Sequence, residues 1–404
     1  MESRSIMHID LDTFFVSVER LLDSRLNNLP VLVGGTSDRG VVAACSYEAR
    51  AFGIHSGMPM KTAKQLCPEA IVIRGNSVNY MKYSAMVTDI IKGTFPLYEK
   101  TSVDEFYVDM SGMERFFGCL KLATEVRHKI IKETGLPISF GLSENKTVSK
   151  VATGEAKPNN QLKIDYGMEK AFLAPLSVKK IPMVGDKTYQ TLCNLGVKQI
   201  KTLQQMDVEM VQKVLGKNGL SIWKKANGID DSPVMSYSER KSISTERTFE
   251  RDTIDIQKLK GILAAMAENL AFQLRRGNKV TACITVKIRY SDFNTHTLQT
   301  QLPYTAADHI LIPRTLELFN RLYNKRLLVR LIGLKYSSLV SGSFQMSLFD
   351  NSEKMVSLYQ AMDKIRDKYG DRSVIKAAGI HAYTIGRGNP FNGEAPPLLA
   401  NRKS

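Results

Sequence analysis

Short apolar runs alternate with amphipathic runs through the first 166 residues, and this pattern predicts strands alternating with helices. The predicted strands are IMHID, LPVLVGG, GVVAACS, AIVIRG, PISFGLS and the two alternating halves of LYEKTSVDEFYVDMSG, which would form a hairpin. The predicted helices are TFFVSVERLL (apolar at 14, 15, 18, 21 and 22, with Asp12 as its N-cap), YEARAFG, GMPMKTAKQLCP, NYMKYSAMVTDIIKGTF, a run over 115–134 and NKTVSKVATGEA. This order of elements implies an α/β or α+β sheet domain with a small insertion.

Residues 167–232 have an almost wholly helical pattern with short loops, and the polar stretch GIDDSPVMSYSERKS (228–242) is the best candidate for a linker. Beyond it the pattern predicts the order strand, helix, strand, strand, helix, strand, with helices over 255–277 and 306–325. That order suggests a compact four-stranded split βαβ domain. A last amphipathic run, LYQAMDKIRDKYG, has apolar positions at 358, 361, 362, 365 and 369.

The net charge of +16 is distributed unevenly along the chain. It is +1 over residues 1–166, +5 over 167–241, +7 over 242–340 and +3 over the remainder. A basic C-terminal half suits a protein whose later domains bind a polyanion, while the balanced first part with its clustered acids does metal chemistry. A basic surface that serves only solubility explains the same charge equally well.

The five cysteines, at positions 45, 67, 119, 193 and 283, lie far apart and form no C-x-x-C pair. A scattered, odd set of this kind predicts reduced thiols in a cytoplasmic protein, with neither a zinc site nor a disulfide framework. No window approaches the roughly 18 consecutive apolar residues of a membrane span, so we expect no membrane partner.

Carboxylates interrupt two of the apolar runs. Asp10 and Asp12 lie in MHIDLDTFF and would share a face if the strand ran through both. If Asp12 instead caps the helix, only Asp10 points into a site, beside the carbonyl of Leu11. Asp104 and Glu105 interrupt TSVDEFYVDM, and like charges that come together need a cation to offset them. Oxygen ligands without His or Cys favour Mg²⁺, although a helix cap and a polar hairpin turn are the ordinary explanations.

Three further features are suited to binding phosphate. They are the backbone N–H groups of Phe14 and Phe15 at a helix start, Tyr47 and Arg50 three apart on one helical face, and Lys157 in EAKPN. Helix starts, arginine and lysine all stabilise a bound phosphate group. A surface arginine, a packed tyrosine and a lysine favoured by the helix dipole are the ordinary alternatives.

Five stretches together resemble the Y-family of DNA polymerases, of the DinB and UmuC type: HIDLDTFF, CSYEARAFGIHSGMPM, SVDEFYVDMS, GLSENKTVSKVAT and AKPN. The resemblance covers about residues 6 to 340, in order and with family-like spacing. It implies an α+β right-hand polymerase with a palm sheet, small fingers, a helical thumb with a helix-hairpin-helix and a split βαβ little finger. The implied boundaries are 1–14 and 75–166 for the palm, 15–74 for the fingers, 167–232 for the thumb, 233–241 for a linker, 242–340 for the little finger and 341–404 for a tail.

The resemblance also implies roles for individual residues. Asp10, Asp104 and Glu105 would be catalytic and would hold two Mg²⁺ ions, with the carbonyl of Leu11 as a further metal ligand. The incoming dNTP would be bound by Phe14, Phe15, Tyr47, Arg50 and Lys157. The ring of Phe15 would also be a steric gate, because it would clash with a ribose 2′-OH.

The family's roof over the nascent base pair corresponds to Val41, Ala43 and Gly57. Small side chains there imply an open pocket, low fidelity and room for damaged template bases, and no spare segment is long enough for a proofreading exonuclease. In the thumb, IPMVG (181–185) resembles the helix-hairpin-helix turn, with Met183 where the family has its first glycine. The charge of the little finger suits DNA backbone binding that weakens as salt rises.

The tail contains QMSLF (345–349), which resembles the bacterial sliding-clamp-binding pentapeptide, with Gln345, Leu348 and Phe349 as anchors. A buried strand end is the ordinary alternative. The 55 residues that follow resemble UmuC-type tails and suggest an accessory protein partner.

The expected function is therefore template-directed translesion DNA synthesis: two-metal nucleotidyl transfer from dNTP to a primer 3′-OH on primer–template DNA, with low fidelity and without proofreading. The alternative is a non-catalytic DNA- and clamp-binding accessory factor that keeps the fold. A non-catalytic factor, however, would have no use for the three acids or for Tyr47, Arg50 and Lys157, so the presence of the whole set argues against this alternative. A palm-type nucleotide cyclase would share the acids but leave the basic C-terminal half unexplained.

Overall fold

The structure, a computed structural model, describes residues 4–37, 39–236, 239–342, 352–370 and 373–377. Within these ranges the strands form a five-stranded, a four-stranded and a three-stranded sheet. The five-stranded and three-stranded sheets belong to the first 163 residues, and the four-stranded sheet belongs to residues 242–341.

The first part of the chain alternates strands and helices, as its sequence pattern predicts. In chain order its elements are β1 (Ile6–Leu11), α1 (Phe14–Leu22), β2 (Val31–Gly34), β3 (Val42–Cys45), α2 (Tyr47–Ala51), α3 (Met60–Leu66), β4 (Ile71–Ile73), α4 (Ser77–Thr94), β5 (Tyr98–Lys100), β6 (Glu105–Asp109), α5 (Glu114–Phe117), α6 (Cys119–Thr134), β7 (Ile138–Ser143), α7 (Lys146–Ala156) and β8 (Gln161–Lys163).

The five-stranded sheet has the order β5-β6-β1-β7-β8, so β1 lies at its centre. Alternate residues of β1 face opposite sides of the sheet. Met7 and Ile9 belong to the large apolar core that also contains residues of α4 and α6. On the other side, the ring of His8 lies against Thr153 of α7, with Nδ1 at 2.9 Å from the hydroxyl oxygen. Both faces of β1 are therefore covered, and Asp10 lies on the α7 side.

Three predictions for this part of the chain are wrong in detail. The predicted helix over 115–134 is two helices, because Gly118 has a φ of 70° that a regular helix does not allow. The N-cap of α1 is Thr13, in a left-handed conformation, and Asp12 does not cap the helix. Leu21 and Leu22, predicted on the apolar face of α1, are 43% and 53% exposed.

The three-stranded sheet has the order β3-β2-β4, with β2 antiparallel to β3 and parallel to β4. Its small core includes residues of β2, β3 and α3, among them Leu32, Val42 and Met60. Helix α2 begins after Ser46, whose hydroxyl accepts the N–H of Ala49 at 3.2 Å. This N-cap sets the start of the helix that carries Tyr47 and Arg50.

Residues 169–226 are helical, as predicted. The helices are α8 (Glu169–Leu173), α9 (Asp186–Asn194), α10 (Ile200–Gln205), α11 (Val208–Leu215) and α12 (Gly219–Ala226). They share a core that includes Leu192, Leu203 and Ile222 and that continues onto α7 through Val148 and Val151. Because each helix is shorter than three full turns, its stability comes mainly from this shared packing.

The third sheet also has the predicted order of elements. They are β9 (Ser242–Thr253), α13 (Ile256–Arg276), β10 (Lys279–Tyr290), β11 (Thr295–Thr305), α14 (Asp308–Leu322) and β12 (Val329–Ser341). The sheet order is β11-β10-β12-β9, and β12 is antiparallel to both of its neighbours. Strands β9 and β10 therefore run parallel with β12 between them, which is the predicted split βαβ arrangement.

A last helix, α15 (Ser352–Tyr369), docks on α13 and α14 with its polar side. Arg366 pairs with Glu268, and both side chains are only 2% exposed. Arg275 bridges Asp308 and Asp363, with N–O distances of 2.7 and 2.6 Å. The predicted apolar positions Leu358, Ile365 and Tyr369 are instead exposed. The prediction named the wrong face, because the helix is held by buried ion pairs and not by an apolar stripe.

We expect Arg366→Ala to destabilise the domain built on the four-stranded sheet by about 3–5 kcal/mol, because Glu268 would remain buried without its ion-pair partner. The measurement is amide hydrogen exchange of α13 in the full chain under increasing urea. Arg314→Ala is the matched control, since its pair with Glu317 is 59% and 50% exposed and should contribute less than about 1 kcal/mol. Equal effects of the two substitutions would show that the buried pair does not hold α15.

Candidate active site

Three of the predicted acids come together at the ends of two neighbouring strands. Strands β1 and β6 are antiparallel, and Asp10 is the direct partner of Glu105 in their register. The N–H of Leu11, the last residue of β1, donates to the carbonyl of Asp104 at 3.0 Å. Residues almost a hundred positions apart are thus placed side by side by the strand register.

The turn that carries Asp104 is organised around Ser102. The Ser102 hydroxyl oxygen accepts the N–H of Asp104 at 3.2 Å and the N–H of Glu105 at 3.0 Å. The same hydroxyl donates to the Asp104 carboxylate at 2.5 Å. A hydroxyl that bonds its own backbone two and three residues on makes a compact turn, so the direction of the Asp104 side chain is set locally.

The electrostatics of the acids reflect their burial and their proximity. Burial raises the pKa of Asp10 to about 6; Lys157 opposes this shift, and the negative charges of Asp104 and Glu105 add to it. Burial also raises the pKa of Asp104, against the hydrogen bond from Ser102. Desolvated carboxylates that repel one another favour a nearby cation.

Two lysines supply positive charge beside these acids. Lys157, which follows α7, bonds the Asp10 carboxylate, and its Nζ lies 3.8 Å from Oδ1 of Asp12. Lys150, on α7, reaches both Glu105 oxygens at 2.8 and 2.7 Å. Lys150 precedes Lys157 by seven residues, about two helical turns, and directly follows α7's first turn, so its spacing from Lys157 is a signal in the sequence that would have indicated Lys150.

The acids fit a hard divalent cation by their chemistry, because the ligands they offer are oxygens and because they already attract two ammonium groups. In the described ranges, however, no three His, Cys, Asp or Glu side chains point at one common centre. The carboxylates of Asp10 and Glu105 bond the two lysines instead, and that of Asp104 accepts the Ser102 hydroxyl. The set is therefore suited to a metal by donor type, burial and charge.

Tyr47 and Arg50 meet on one face of α2, as their spacing predicts. The Arg50 guanidinium lies over the Tyr47 ring, 4.9 Å from its centre. The Tyr47 hydroxyl is buried with no hydrogen-bond partner among the described residues, and so is Oδ1 of Asp12. Burial and the charge of Asp12 raise the pKa of Tyr47, so the hydroxyl keeps its proton. Unsatisfied buried polar atoms of this kind are typical of a binding site.

Phe15 lies in the first turn of α1 and is partly buried against the main core. Its ring stacks on the ring of Tyr80, with centroids 4.4 Å apart and planes inclined by 22°. Tyr80 is 2% exposed, and its hydroxyl donates to Glu19 at 2.5 Å. Phe14 is 3% exposed and packs in the core. The Phe15 ring is thus held in place by a tyrosine that the sequence analysis did not identify.

Val41, Ala43 and Gly57 are brought together where β3 meets the segment before α3. Val41 forms a bridge with Pro59, and the N–H of Gly57 donates to the carbonyl of Val42 at 2.8 Å. Val41 is 46% exposed. Gly57 has a φ of 88°, a conformation that favours glycine, and a Cβ there would meet nothing within 4 Å. Val41 and Gly57 are thus on an open surface, whereas Ala43 is partly buried against the main core.

The comparisons with known proteins agree on one family. Models of the impB/mucB/samB family and of its C-terminal domain match residues 9–154 and 240–348. A DNA polymerase IV of Dehalococcoides mccartyi is 40% identical over 378 residues, which cover 93% of this chain and 97% of the relative. The chain belongs to the Y-family of DNA polymerases. It is a template-directed DNA polymerase of the translesion type, and its chemistry depends on a divalent metal.

Another relative supports the same assignment, and solved structures support the fold. A DNA polymerase IV of Desulfatibacillum aliphaticivorans is 34% identical over 385 residues, or 94% of this chain and 97% of the relative. A Y-family polymerase chimera, Dbh-Dpo4(243-245)-Dbh, matches with a TM-score of 0.73 at 24% identity and covers 84% of this chain and 100% of its own. DinB from Sulfolobus solfataricus matches with a TM-score of 0.59 at 25% identity, with the same coverage. The right-hand fold of this polymerase is therefore shown.

The structure adds detail at two further residues of this polymerase, Asp12 and Met183. Asp12 is 1% exposed, and its Oδ2 accepts the Ser139 hydroxyl at 2.9 Å and the N–H of Asn159, so it ties the segment after Lys157 to the palm sheet. In the thumb, Met183 has a φ of 83° and thus adopts the left-handed backbone expected of glycine. No local pattern in the sequence indicates the contacts of Asp12.

The remaining predictions concern residues outside the active site. The clamp-binding residues Gln345, Leu348 and Phe349 lie outside the described residues. All five cysteines are free thiols, in agreement with the prediction of no disulfide framework. None of the helices in the described ranges combines the length and the apolar composition that crossing a bilayer requires.

Proposed function

We propose that Asp10, Asp104 and Glu105, with the carbonyl of Leu11, hold two Mg²⁺ ions and that this polymerase works by two-metal nucleotidyl transfer. The observation that carries the proposal is the register that pairs Asp10 with Glu105 next to Asp104, in surroundings whose burial raises the pKa of Asp10 to about 6. When bound, the two ions lower the energy of the charge that develops on the attacking and leaving oxygens.

The incoming dNTP, in this proposal, is bound by α2, by Lys157 and by the start of α1. Arg50 and Lys157 neutralise the triphosphate, and the unsatisfied Tyr47 hydroxyl donates to it. The backbone of Phe14 and Phe15 adds the positive end of a helix. The position of Tyr47 near Asp12, and of Asp12 near Lys157, supports a single binding site.

Sugar selection and fidelity follow from the shape of the same site. We propose Phe15 as the steric gate, supported by its partly buried ring held against Tyr80. Val41, Ala43 and Gly57 form the roof over the nascent base pair. Their small or exposed side chains give little shape discrimination, so we propose low fidelity and synthesis without proofreading.

The domain boundaries are proposed as palm 1–14 and 75–166, fingers 15–74, thumb 167–232, linker 233–241, little finger 242–340 and tail 341–404. Each of the four main apolar cores is centred in one of these parts, which supports the division, although the palm core also includes residues of β2 and the thumb core includes residues of α7. The core of the palm also contains Val16 and Val18 of α1, so α1 joins the fingers to the palm by packing. In the linker, Val234 is buried against Ile6 and Tyr107.

We also propose that the pentapeptide at 345–349 binds the sliding clamp and that the tail binds an accessory protein. The support is the QMSLF sequence and its place after the little finger. A cytoplasmic location, expected from the free cysteines, stays a prediction.

Primer extension by the full chain tests the proposal. With Mg²⁺, dNTPs and a labelled primer on undamaged and lesion-bearing templates, we expect short distributive extension that EDTA abolishes, and longer products when a bacterial sliding clamp is added. Without dNTPs, the primer should not become shorter. If the chain binds primer–template but never extends it, the non-catalytic alternative is correct. Shortened primers would contradict the absence of proofreading.

A further inference from the structure

Lys100, on the edge strand β5, is a partly buried lysine that the site described above does not use. It lies opposite Phe106 in the β5–β6 register, with its Nζ 5.0 Å from the centre of that ring. Its neighbour Glu99 is bonded by Lys146 at the start of α7, so alternation along the strand directs Lys100 toward α4. The positive charge of Lys100 therefore approaches the site from the side opposite α7.

The ammonium group of Lys100 makes three hydrogen bonds, all to one turn of α4. It donates to the hydroxyl oxygens of Ser84 and Thr88 at 2.7 and 2.6 Å and to the Ser84 carbonyl at 3.3 Å. The Thr88 hydroxyl in turn donates to the Ser84 carbonyl at 2.6 Å. An ammonium group has three N–H donors, so this arrangement satisfies the group completely.

Ser84 links Lys100 to the turn that carries Asp104. Ser84 is fully buried, and its hydroxyl donates to the carbonyl of Val103. That carbonyl belongs to the same peptide unit as the N–H of Asp104, which Ser102 accepts at 3.2 Å. Both polar ends of the peptide before Asp104 are therefore bonded, one by Ser102 within the turn and the other by α4 through Ser84 and Lys100.

We propose that Lys100 is a positioning residue for Asp104, acting through Ser84 to fix the peptide between Val103 and Asp104. The proposal rests on the proposed function, since it takes Asp104 to be a metal ligand. Hydrogen-bond partners that orient a ligating carboxylate contribute strongly to metal affinity and rate. The charge of Lys100 also favours this arrangement. The negative charges of Asp104 and Asp89 stabilise the protonated form of Lys100 and so oppose the effect of burial on its pKa. Burial lowers the pKa of Lys100 to about 8, so the ammonium form still predominates at neutral pH.

The test compares Lys100→Met and Ser84→Ala with Lys92→Met, an exposed lysine in the last turn of α4, in the full chain. We expect Lys100→Met and Ser84→Ala to lower kcat for single-nucleotide insertion by about 10- to 100-fold. The KM for dNTP should change by less than about threefold, since phosphate binding is untouched. The double variant should be no worse than the more affected single variant, because both substitutions break one chain of bonds.

Two measurements without turnover separate positioning from a purely structural role. Binding of Mn²⁺ to the free enzyme, followed by electron paramagnetic resonance, should weaken by about tenfold in both variants. Amide exchange at Asp104 and Glu105 should become faster, while that of β1 stays the same. If Lys100→Met does not fold, Ser84→Ala decides the question, because it keeps the lysine.

Folded variants with unchanged kcat, Mn²⁺ binding and amide exchange would overturn the proposal. A lower melting temperature with unchanged kcat and Mn²⁺ binding would also overturn it, because Lys100 would then be structural only. Failure of the proposed function has a different signature. If Asp104→Ala retains extension, the metal assignment is wrong whatever the two variants do.

Discussion

Asp104→Ala should lower the rate of primer extension by about a thousandfold, the upper range for loss of one group that stabilises transition-state charge. Asp104 is the acid whose backbone is bonded to β1 and whose turn is organised by Ser102. Its loss leaves Asp10 and Glu105 in place, so the fold and the basic DNA-binding surfaces should be unaffected. The measurements are single-turnover extension with Mg²⁺ and DNA affinity by fluorescence anisotropy.

Asp104→Asn adds a sharper comparison, since it keeps the size of the side chain and removes only its charge. We expect a similar loss, because the ligand role needs a carboxylate. Asp165→Ala is the matched control: its side chain is 77% exposed, and it pairs only with exposed Lys163 in the described structure. Extension by Asp104→Ala at the rate of this control would show that Asp104 does not bind the catalytic metal.

Phe15→Ala should lower the preference for dNTP over rNTP by about a hundredfold, measured as the ratio of the two kcat/KM values. The Phe15 ring is fixed by stacking on Tyr80, which is itself buried and bonded to Glu19. Alanine removes the ring and leaves space where a 2′-OH fits. Insertion of dCTP should fall less than about tenfold, because the catalytic acids are unchanged.

The control for Phe15→Ala is Tyr166→Ala, which removes an aromatic ring that is 75% exposed and leaves sugar selection intact. Insertion of dCTP and CTP opposite the same template guanine measures the ratio in each variant. An unchanged ratio in Phe15→Ala would exclude this ring as the steric gate. A large loss of dCTP insertion with an unchanged ratio would mean that Phe15 only supports the fold.

The sheet and the acids could be predicted because their signals are local. The apolar run of β1 and the alternation of β6 identify two strands, and like charges at their ends predict a cation site. The short strand β8 was missed, because its sequence, QLK, is polar at two of three positions and forms no apolar run. The break at Gly118 could have been expected, since glycine is a poor residue inside a helix.

The parts of the site that were missed depend on tertiary contacts. Tyr80 stacks on a residue 65 positions earlier, and Asp12 accepts the N–H of Asn159, 147 positions later. Neither contact has a spacing that a sequence pattern would reveal. The prediction of which face of α15 packs against the protein was wrong for another reason. Amphipathicity rules assume that apolar residues face the protein, whereas this helix is attached through Arg366, Asp363 and Tyr359.

The attachment of α15 has a consequence for how the protein is made. Glu268 lies on α13 and Asp308 begins α14. Arg366, which pairs with Glu268, is synthesised about a hundred residues after it, and Lys376, whose Nζ lies 3.8 Å from Asp308, is synthesised about seventy residues after that acid. During translation these two carboxylates have only part of their final positive surroundings. The last domain can therefore reach its full stability only after synthesis has passed residue 376.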